Sequence, residues 1–282
     1  MKKLLCMILA MMMTATSAIA MAEEINVISR EDGSGTRGAF IELFGIEQKD
    51  ENGNKVDYTT DECDITNSTS VMMLSVAGNE CAIGYISLGS MNETVKALTI
   101  DGVQATVENI KAGEYKVARP FNIATLAETS QLAQDFIAFI MSADGQAVIE
   151  ENGYIAVAED AAAFEGGNVS GKLVIAGSSS VTPVMEKLKE AYEAINSDAE
   201  IELQQSDSSS GMTSTLDGVC DIGMASRELK DSELEAGLTS LTIAMDGIAV
   251  IVSPENPTEE LSAEQVRGIY MGEITDWSEV NE

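Results

Sequence analysis

Three segments of the sequence combine serine, threonine and glycine in a pattern suited to binding a small anion. They read Arg-Glu-Asp-Gly-Ser-Gly-Thr-Arg at 30–37, Ala-Gly-Ser-Ser-Ser-Val-Thr-Pro at 176–183 and Ser-Asp-Ser-Ser-Ser-Gly at 206–211. Each follows a strand-like stretch and precedes a helix-like one. A helix N-terminus exposes N–H groups that lack partners, glycine allows close backbone approach, and hydroxyls donate further hydrogen bonds. Together the segments predict a site for an oxyanion.

Arg30 adds a planar, positively charged group that matches the geometry of an oxyanion. Taken singly, each loop is as well explained by helix capping, and Arg30 by a solvated surface charge. Segment 30–37 is not a nucleotide-binding P-loop, because it lacks the four-residue gap and the Gly-Lys pair. The coincidence of three such loops with one arginine favours anion binding.

Composition excludes several classes of function. The 282 residues include no histidine, which rules out Ser-His-Asp catalysis and His-ligated zinc. There are 16 Lys and Arg against 47 Asp and Glu, for a net charge of −31, which argues against a nucleic-acid partner. A serine hydrolase or phosphatase is the enzymatic alternative, but the sequence lacks a G-x-S-x-G elbow and any obvious metal cluster. We therefore predict no catalytic residue, metal or cofactor.

Short β-rich runs alternate with helical ones, which is typical of an α/β protein. The predicted strands are 25–29, 82–87, 172–176, 200–204 and 248–252, and the predicted helices are 36–44, 68–78, 126–141, 183–196 and 263–271. Ser262 and Gln265 have the spacing of a capping box, and Thr182 precedes a proline as an N-cap would.

The first 22 residues read as a secretory signal, with Lys2 and Lys3 followed by an apolar run of about ten residues and small residues. That run is too short for a membrane span, which needs roughly 20 residues. We expect an exported protein, periplasmic or at the cell surface, that is soluble after signal cleavage. Of the remaining cysteines, Cys63 and Cys81 could form a disulfide, but buried thiols are favoured for these two and for Cys220.

The loops also carry a resemblance to a known family. With Asp-Ile-Gly-Met-Ala-Ser-Arg-Glu at 221–228, Ile-Tyr-Met-Gly-Glu-Ile-Thr-Asp-Trp at 269–277, Asp-Gly-Gln at 144–146 and Asn-Gly-Tyr at 152–154, the sequence resembles the phosphate-binding proteins of ABC phosphate transporters. The resemblance implies an α/β, two-lobed periplasmic-binding-protein-like fold of type II. Two strands cross between the lobes, and the dehydrated anion lies in the cleft.

The motifs stand in an exchanged order compared with that family. Residues 172–282 resemble the usual beginning, and 24–159 resemble the usual end. This order predicts a circular permutation in which the old termini are joined through a linker at 161–171. An assembly artefact, or two fragments of tandem copies, is the alternative; against it, no motif is missing or duplicated.

The permutation has a consequence for the lobes. After the signal at 1–22, residues 23–120 together with 251–282 are expected to form a discontinuous lobe. Residues 121–250, including the linker, are expected to form a continuous one. The crossings would lie near 119–122 and 248–252, and would allow hinge closure around a ligand.

The resemblance also implies roles for individual residues. Arg30 would bind phosphate through its guanidinium, and Asp32 would hold that guanidinium in place, although Asp32 could instead be a plain turn residue. Ser34, Gly35 and Thr36 would donate from one lobe. The predicted donors of the other lobe are Ser179, Ser180 and Ser208.

One position departs from the family. Some members carry an aspartate where this sequence has Arg227, and that aspartate accepts the proton of hydrogen phosphate. Arginine cannot accept a hydrogen bond, so Arg227 either adds a positive contact or points away and leaves Ser226 facing the ligand. Asp207 is the nearest candidate for a replacement acceptor.

By resemblance the expected function is capture of inorganic phosphate for delivery to the permease subunits of an ABC transporter, by a monomer. The alternatives are a binder of another tetrahedral oxyanion and a phosphate sensor or surface protein with no role in transport. Both alternatives keep the anion site and change only its ligand or its partner.

Signal cleavage can be tested directly. Both Ala-Ile-Ala at 18–20 and Ala-Met-Ala at 20–22 are suitable cleavage sites. Mass spectrometry of the protein from the culture medium or the cell envelope should find a mature chain that begins at residue 21 or 23. An intact Met1 on the exported protein would contradict the prediction.

Overall fold

The computed structural model describes residues 24–158 and 160–280. The predicted signal at 1–22 lies outside the described residues. Within the described ranges, no helix combines the length and the apolar character that crossing a bilayer requires.

Strands and helices alternate along most of the chain, as predicted. The strands are β1 (Asn26–Arg30), β2 (Glu47–Lys49), β3 (Lys55–Asp57), β4 (Asp64–Thr66), β5 (Ala82–Ser87), β6 (Lys96–Ala97), β7 (Thr99–Ile100), β8 (Ala118–Thr125), β9 (Ile155–Ala156), β10 (Gly171–Ser178), β11 (Ala199–Ser206), β12 (Ile222–Ala225), β13 (Thr239–Val252) and β14 (Glu260–Leu261). The helices are α1 (Gly35–Leu43), α2 (Thr69–Ala77), α3 (Val107–Lys111), α4 (Gln131–Ile140), α5 (Ala143–Glu151), α6 (Thr182–Ile195), α7 (Ser208–Leu216), α8 (Asp231–Glu235) and α9 (Ala263–Tyr270).

One mixed sheet runs through the molecule in the strand order β11-β10-β12-β8-β13-β5-β1-β4. In one half, β10 lies parallel to β11 and β12, and β12 lies antiparallel to β8. The other half repeats this arrangement, since β1 lies parallel to β4 and β5, and β5 lies antiparallel to β13. The two halves are therefore built on the same plan and meet at the β8–β13 pair.

The long strands β8 and β13 connect the halves. They pair along most of their length, with Asp246 opposite Arg119 and Gly247 opposite Ala118. From Ile248 onward, β13 pairs with β5 instead, where Ile248 lies opposite Ser87. The change of partner within one strand marks the position at which the chain passes from one half to the other.

Each half has its own hydrophobic core. One core contains residues between Phe121 and Ala244, including helices α4, α5 and α6. The other draws on residues between Ile25 and Val117 and again on residues from Ile248 to Trp277. Strand β13 contributes side chains to the first core up to Ala244 and to the second core from Ile248 onward, because it passes from one half to the other between these residues.

Several element boundaries differ from the sequence-based prediction. Helix 126–141 was expected as one segment, but α4 begins only after Ser130, whose hydroxyl accepts from the N–H of Ala133 and so caps the helix. Val181, not Thr182, is the N-cap residue of α6. Ser262 and Gln265 do form the predicted capping box at α9. Strands β8 and β12, residues 239–247 of β13 and helix α5 were not predicted.

The predicted linker at 161–171 has no secondary structure before β10 begins at Gly171, yet it is docked on the fold. Gly167 N–H donates to Asp135 at 3.0 Å, and the Phe164 ring packs edge-on against Phe139. Asn196 holds the segment further along through its side-chain amide, which donates to the carbonyl of Val169. The segment therefore packs against α4 and against the end of α6.

The cysteines agree with the thiol prediction. Cys63 carries no disulfide bond, so the Cys63–Cys81 bridge is not formed. Cys63 and Cys81 are half-buried against the second core, and Cys220 is buried near α7. Burial raises the pKa of the Cys63 and Cys220 thiols. The higher pKa keeps them protonated and unreactive.

Candidate anion-binding site

Hydroxyl groups from five loops meet at the carboxyl ends of the parallel strands β1, β4, β10, β11 and β12. The side chains that form this hydroxyl cluster are all buried: Ser34, Thr36, Thr69, Ser178, Ser179, Ser180, Ser208 and Ser226. Four of the loops lead into the N-termini of α1, α2, α6 and α7. In α/β folds, ligands bind in a crevice outside the carboxyl ends of the strands, so the cluster lies where a ligand is expected.

The cluster joins the two halves of the molecule directly. Thr36 Oγ1 lies 2.8 Å from Ser180 Oγ, and Thr69 Oγ1 lies 3.1 Å from the same atom. Ser180 belongs to the loop after β10, whereas Thr36 and Thr69 belong to the other half. A hydroxyl both donates and accepts, so these groups pair with one another here and can turn to donate to an anion.

A second set of contacts surrounds the N-terminus of α1. Ser178 Oγ donates to Ser226 Oγ at 2.9 Å, and the N–H of Ser226 donates to Ser208 Oγ at 3.1 Å. A β-carbon added to Gly35 would lie 2.5 Å from Ser208 Oγ and 2.8 Å from Ser226 Oγ. Glycine at this position is therefore required for α1 to reach the serines of the other half.

Arg30 supplies the positive charge of the site. Its side chain is only 2% exposed, and its Nη2 donates to Ser179 Oγ of the other half at 3.1 Å. Its Nε and Nη2 also donate to the two carboxylate oxygens of Glu31, at 2.8 and 2.7 Å. A bidentate pair of this kind fixes the guanidinium plane.

The residue that holds Arg30 is thus Glu31, and the role predicted for Asp32 is wrong. The carboxylate of Asp32 is exposed and accepts instead from Arg37 Nη1 at 3.0 Å. The turn is closed by the N–H of Ser34, which donates to the carbonyl of Glu31. This turn places Asp32 at the surface and Glu31 beside the guanidinium of Arg30.

Two predicted site residues serve as helix caps. Ser34 Oγ accepts from the N–H of Arg37 at the start of α1. Asp207, proposed above as a ligand acceptor, uses its carboxylate to accept from the N–H of Ser210 at 2.8 Å and from its hydroxyl at 2.5 Å. Capping takes up both oxygens of Asp207, because the first N–H groups of α7 need an acceptor.

Arg227 points away from the hydroxyl cluster, which selects the second of the two alternatives given above. Its Nη1 and Nη2 donate to Glu233 at 2.9 and 2.8 Å, and Nη2 also donates to Ser209 Oγ at 3.2 Å. Burial alone would raise the pKa of Glu233, but the hydrogen bonds and charge of Arg227, together with the N–H and charge of Lys230, lower it overall. Ser226, not Arg227, faces the cluster.

Sequence reasoning missed Thr69 and Ser178. Thr69 begins α2 after β4, and its N–H and hydroxyl both lie within hydrogen-bond distance of Ser179 Oγ. The sequence did indicate donors at this loop, since the polar run at 66–69 includes Ser68, which caps the predicted helix. That run contains no glycine, and the three recognised loops do.

The site consists mainly of hydrogen-bond donors. Among residues 24–158 and 160–280, no group of three or more Cys, Asp or Glu side chains is arranged to hold a metal ion. The arrangement of hydroxyls, helix N-termini and one arginine can surround a single oxyanion with hydrogen-bond donors.

The chain is similar to proteins of known family over most of its length. It matches the PBP superfamily domain over residues 6–144 and 162–282. It is 56% identical to the phosphate-binding protein PstS 2 of Streptococcus agalactiae over 258 residues, which cover 91% of this chain and 88% of that protein. A crystal structure of a phosphate-binding protein of a phosphate ABC transporter from Streptococcus pneumoniae superposes with a TM-score of 0.71 at 44% identity. The superposition covers 91% of this chain and 99% of that one.

A third relative matches over a shorter stretch. The phosphate-binding protein PstS of Staphylococcus aureus is 36% identical over 112 residues, which cover 37% of this chain and 34% of that protein. The similarity to the streptococcal proteins is thus collinear over nearly the whole chain, whereas the similarity to the staphylococcal protein covers about a third of it.

The assignment of Glu31 as the partner of Arg30 predicts the effect of one substitution. Glu31→Gln should lower the free energy of unfolding of the ligand-free protein by about 2 kcal/mol, because the buried guanidinium loses a charged hydrogen-bond partner. Urea denaturation followed by circular dichroism measures this loss. Asp32→Asn is the matched control and should leave the midpoint unchanged, since an exposed ion pair contributes little. A larger loss from Asp32→Asn than from Glu31→Gln would reverse the assignment.

Proposed function

The chain belongs to the PBP superfamily and, within it, to the PstS phosphate-binding proteins, and on that premise we propose that it captures inorganic phosphate between its two halves for an ABC transporter. The observation that carries the proposal is the buried contact of Arg30 and the hydroxyl cluster across the cleft. Arg30 would bind the anion, and Gly35, Thr36, Thr69, Ser179, Ser180 and Ser208 would surround it with donors.

The acidity of the protein does not oppose this function. Hydrogen bonds to a charged group contribute about 1.5–3 kcal/mol each, and in a water-excluded cleft they act over a few ångströms. The surface carboxylates that make up most of the net charge of −31 are screened over about 10 Å at ordinary ionic strength. Local donors therefore determine binding.

We propose that selectivity for phosphate over sulfate depends on Glu31, whose two oxygens each accept from Arg30 and each keep a lone pair for a further donor. An ionised Glu31 accepts hydrogen bonds but cannot donate them. It would favour an oxyanion that carries a proton, as phosphate does near neutral pH, and disfavour sulfate, which carries none. The hydroxyl of Ser226 can donate to an unprotonated oxygen of the anion or accept from a protonated one.

Capture requires the two halves to open and close, because the cluster is buried. We propose as the moving bodies the described parts of the two predicted lobes, which are 24–120 with 251–280 for the discontinuous lobe and 121–158 with 160–250 for the continuous one. The separate hydrophobic cores support boundaries within a few residues of these positions. Strands β8 and β13 would act as the hinge.

We further propose that the protein is exported through its N-terminal signal, acts as a monomer, docks on permease subunits and catalyses no reaction. The names of the relatives support the partnership with an ABC transporter. The hydroxyl cluster supports binding without catalysis, because no histidine is available to activate a serine.

We also propose that the chain is a natural circular permutant of the more usual order. The N–H of Ile25 donates to the carbonyl of Thr275 at 2.8 Å, and Glu24 forms a β-bridge with Asp276, so the first and last described segments are neighbours. A collinear comparison with a chain whose halves are exchanged can cover only one part of it. The short match to the staphylococcal relative fits this expectation.

Phosphate binding predicts the effect of removing one hydroxyl. Thr36→Val should weaken phosphate binding by about 10- to 100-fold, because a donor to a charged oxyanion is lost while side-chain volume is kept. Isothermal titration calorimetry with phosphate, and with sulfate as a competitor, measures the change.

The matched control for that experiment is Thr213→Val. Thr213 lies on the exposed side of α7 and donates only to the carbonyl of Ser209. It should leave the phosphate affinity within about twofold of the parent value, as expected for a surface substitution. Absence of binding to the parent protein at millimolar phosphate would refute the proposed function, and equal competition by sulfate would refute the selectivity.

Restoring the usual order tests the permutation. A chain that starts at Gly171, runs through Val280 into Glu24 by way of residues 281–282, and ends at Ala158 should fold and bind phosphate with an affinity within about threefold of the parent. Thermal melting and calorimetry measure both properties. A control with the same joint but opened between Ala244 and Met245, inside β13, should not fold. Failure of the first chain to fold would contradict the proposal.

A further inference from the structure

Asn122 is a polar residue within an otherwise apolar stretch of β8. Its neighbours in the strand, Phe121 and Ile123, belong to the first core, and Asn122 is itself fully buried. Asparagine is uncommon inside strands, and a buried amide is costly unless its donors and its acceptor find partners. A residue that departs from the local pattern in both ways is expected to have a specific role.

The amide of Asn122 forms hydrogen bonds to three groups outside its own strand. Its Nδ2 donates to the carbonyl of Arg227 at 2.9 Å and to Glu228 Oε2 at 3.2 Å, so both of its N–H groups are used. Its Oδ1 accepts from Thr242 Oγ1 of β13 at 2.7 Å. The side chain therefore connects the segment after β12 to β8 and β13, the two strands that join the halves.

These bonds hold the chain just beyond the end of β12. Asn122 lies opposite Ala225, the last residue of β12, in the antiparallel pairing of β8 with β12. Ser226 follows in the chain, and the carbonyl that accepts from Asn122 belongs to the next residue, Arg227. The backbone of Ser226 is thus held by the sheet on one side and by the amide of Asn122 on the other.

The anchored segment directs two neighbouring side chains to opposite sides. The Ser226 hydroxyl accepts from Ser178 Oγ in the hydroxyl cluster, whereas the Arg227 guanidinium donates to Glu233 and Ser209. A rotation of this short segment would change which of the two faces the anion. The difference matters chemically, because a hydroxyl donates and accepts hydrogen bonds and a guanidinium only donates them.

We propose that Asn122 is a positioning residue of the anion site and that it acts through Ser226. By holding the carbonyl of Arg227, its amide keeps the Ser226 hydroxyl in the cluster and the Arg227 guanidinium outside it. None of the three bonds of this amide goes to a member of the hydroxyl cluster, so its effect on the ligand is indirect. The inference rests on the proposed function, because it assigns Asn122 a part in phosphate binding.

A double-mutant cycle tests this role. Isothermal titration calorimetry with inorganic phosphate compares the parent, Asn122→Thr, Ser226→Ala and the double variant. Threonine suits a strand but has no amide to hold the Arg227 carbonyl, so Asn122→Thr should weaken phosphate binding by about 10-fold. In the Ser226→Ala background the same substitution should change the affinity by less than about twofold, because the hydroxyl that Asn122 positions is already gone.

Two outcomes of the cycle would overturn the proposal. One is an affinity of Asn122→Thr equal to that of the parent. The other is an equal loss of affinity in both backgrounds, which is the result expected if Asn122 only stabilises the fold. Asn122→Asp has the same shape and lacks the two N–H donors, so it replaces Asn122→Thr in the cycle if that variant does not fold, with the same results expected.

Thr242→Val is the matched control. It removes the hydroxyl that donates to Asn122 Oδ1 and leaves both bonds from Nδ2 to the segment after β12. It should lower the Tm by about 2–4 °C, because a buried hydrogen bond is lost, and keep the phosphate affinity within about twofold of the parent value. A loss of affinity as large as that of Asn122→Thr would overturn the proposal.

The same titrations separate this inference from the proposed function. A parent protein that does not bind phosphate would refute the proposed function. A parent that binds phosphate, with no coupling between Asn122 and Ser226, would refute only the positioning role.

Discussion

The antiparallel ladder between β8 and β13 is the constraint on which the rest of the structure depends. It completes the sheet of one half, and β13 then changes partner between Gly247 and Ile248 to complete the other. Both sets of parallel strands are therefore oriented by the same pair of strands. Their carboxyl ends are brought face to face, and the loops that follow them meet at one point. The positions of Thr36 and Ser180, which are 144 residues apart in the chain, follow from this geometry.

Much of the site could be predicted because its chemistry is local. A serine-rich or glycine-rich loop before a helix provides donors wherever the helix lies, and the loops that contain Arg30, Ser180 and Ser208 were identified on that basis. The roles of the single residues came from the family resemblance. The α/β class followed from alternating patterns, and the two-lobed fold from the family resemblance; the comparisons confirm both. Lobe boundaries and chain order concern how distant segments combine, and remain proposals.

The errors concern the direction of side chains within loops. Glu31 and Asp32 are adjacent, and spacing alone could not decide which carboxylate turns back to the guanidinium; the backbone turn does. Likewise Ser226 and Arg227 are neighbours at the end of β12, and they point to opposite sides of the chain. Thr69 was missed because its loop lacks glycine. These outcomes depend on single backbone dihedrals, which composition and periodicity do not encode.

The pairing of the hydroxyls with one another has an energetic consequence. Thr36 and Thr69 both pair with Ser180, so an oxyanion that receives their hydrogens has to displace these bonds. Each hydroxyl therefore contributes to binding only the difference between its bond to the anion and the bond that it gives up. Two sites with the same number of donors can thus differ in affinity, and here the affinity depends on how strongly the donors bind one another as well as on how strongly they bind the ligand.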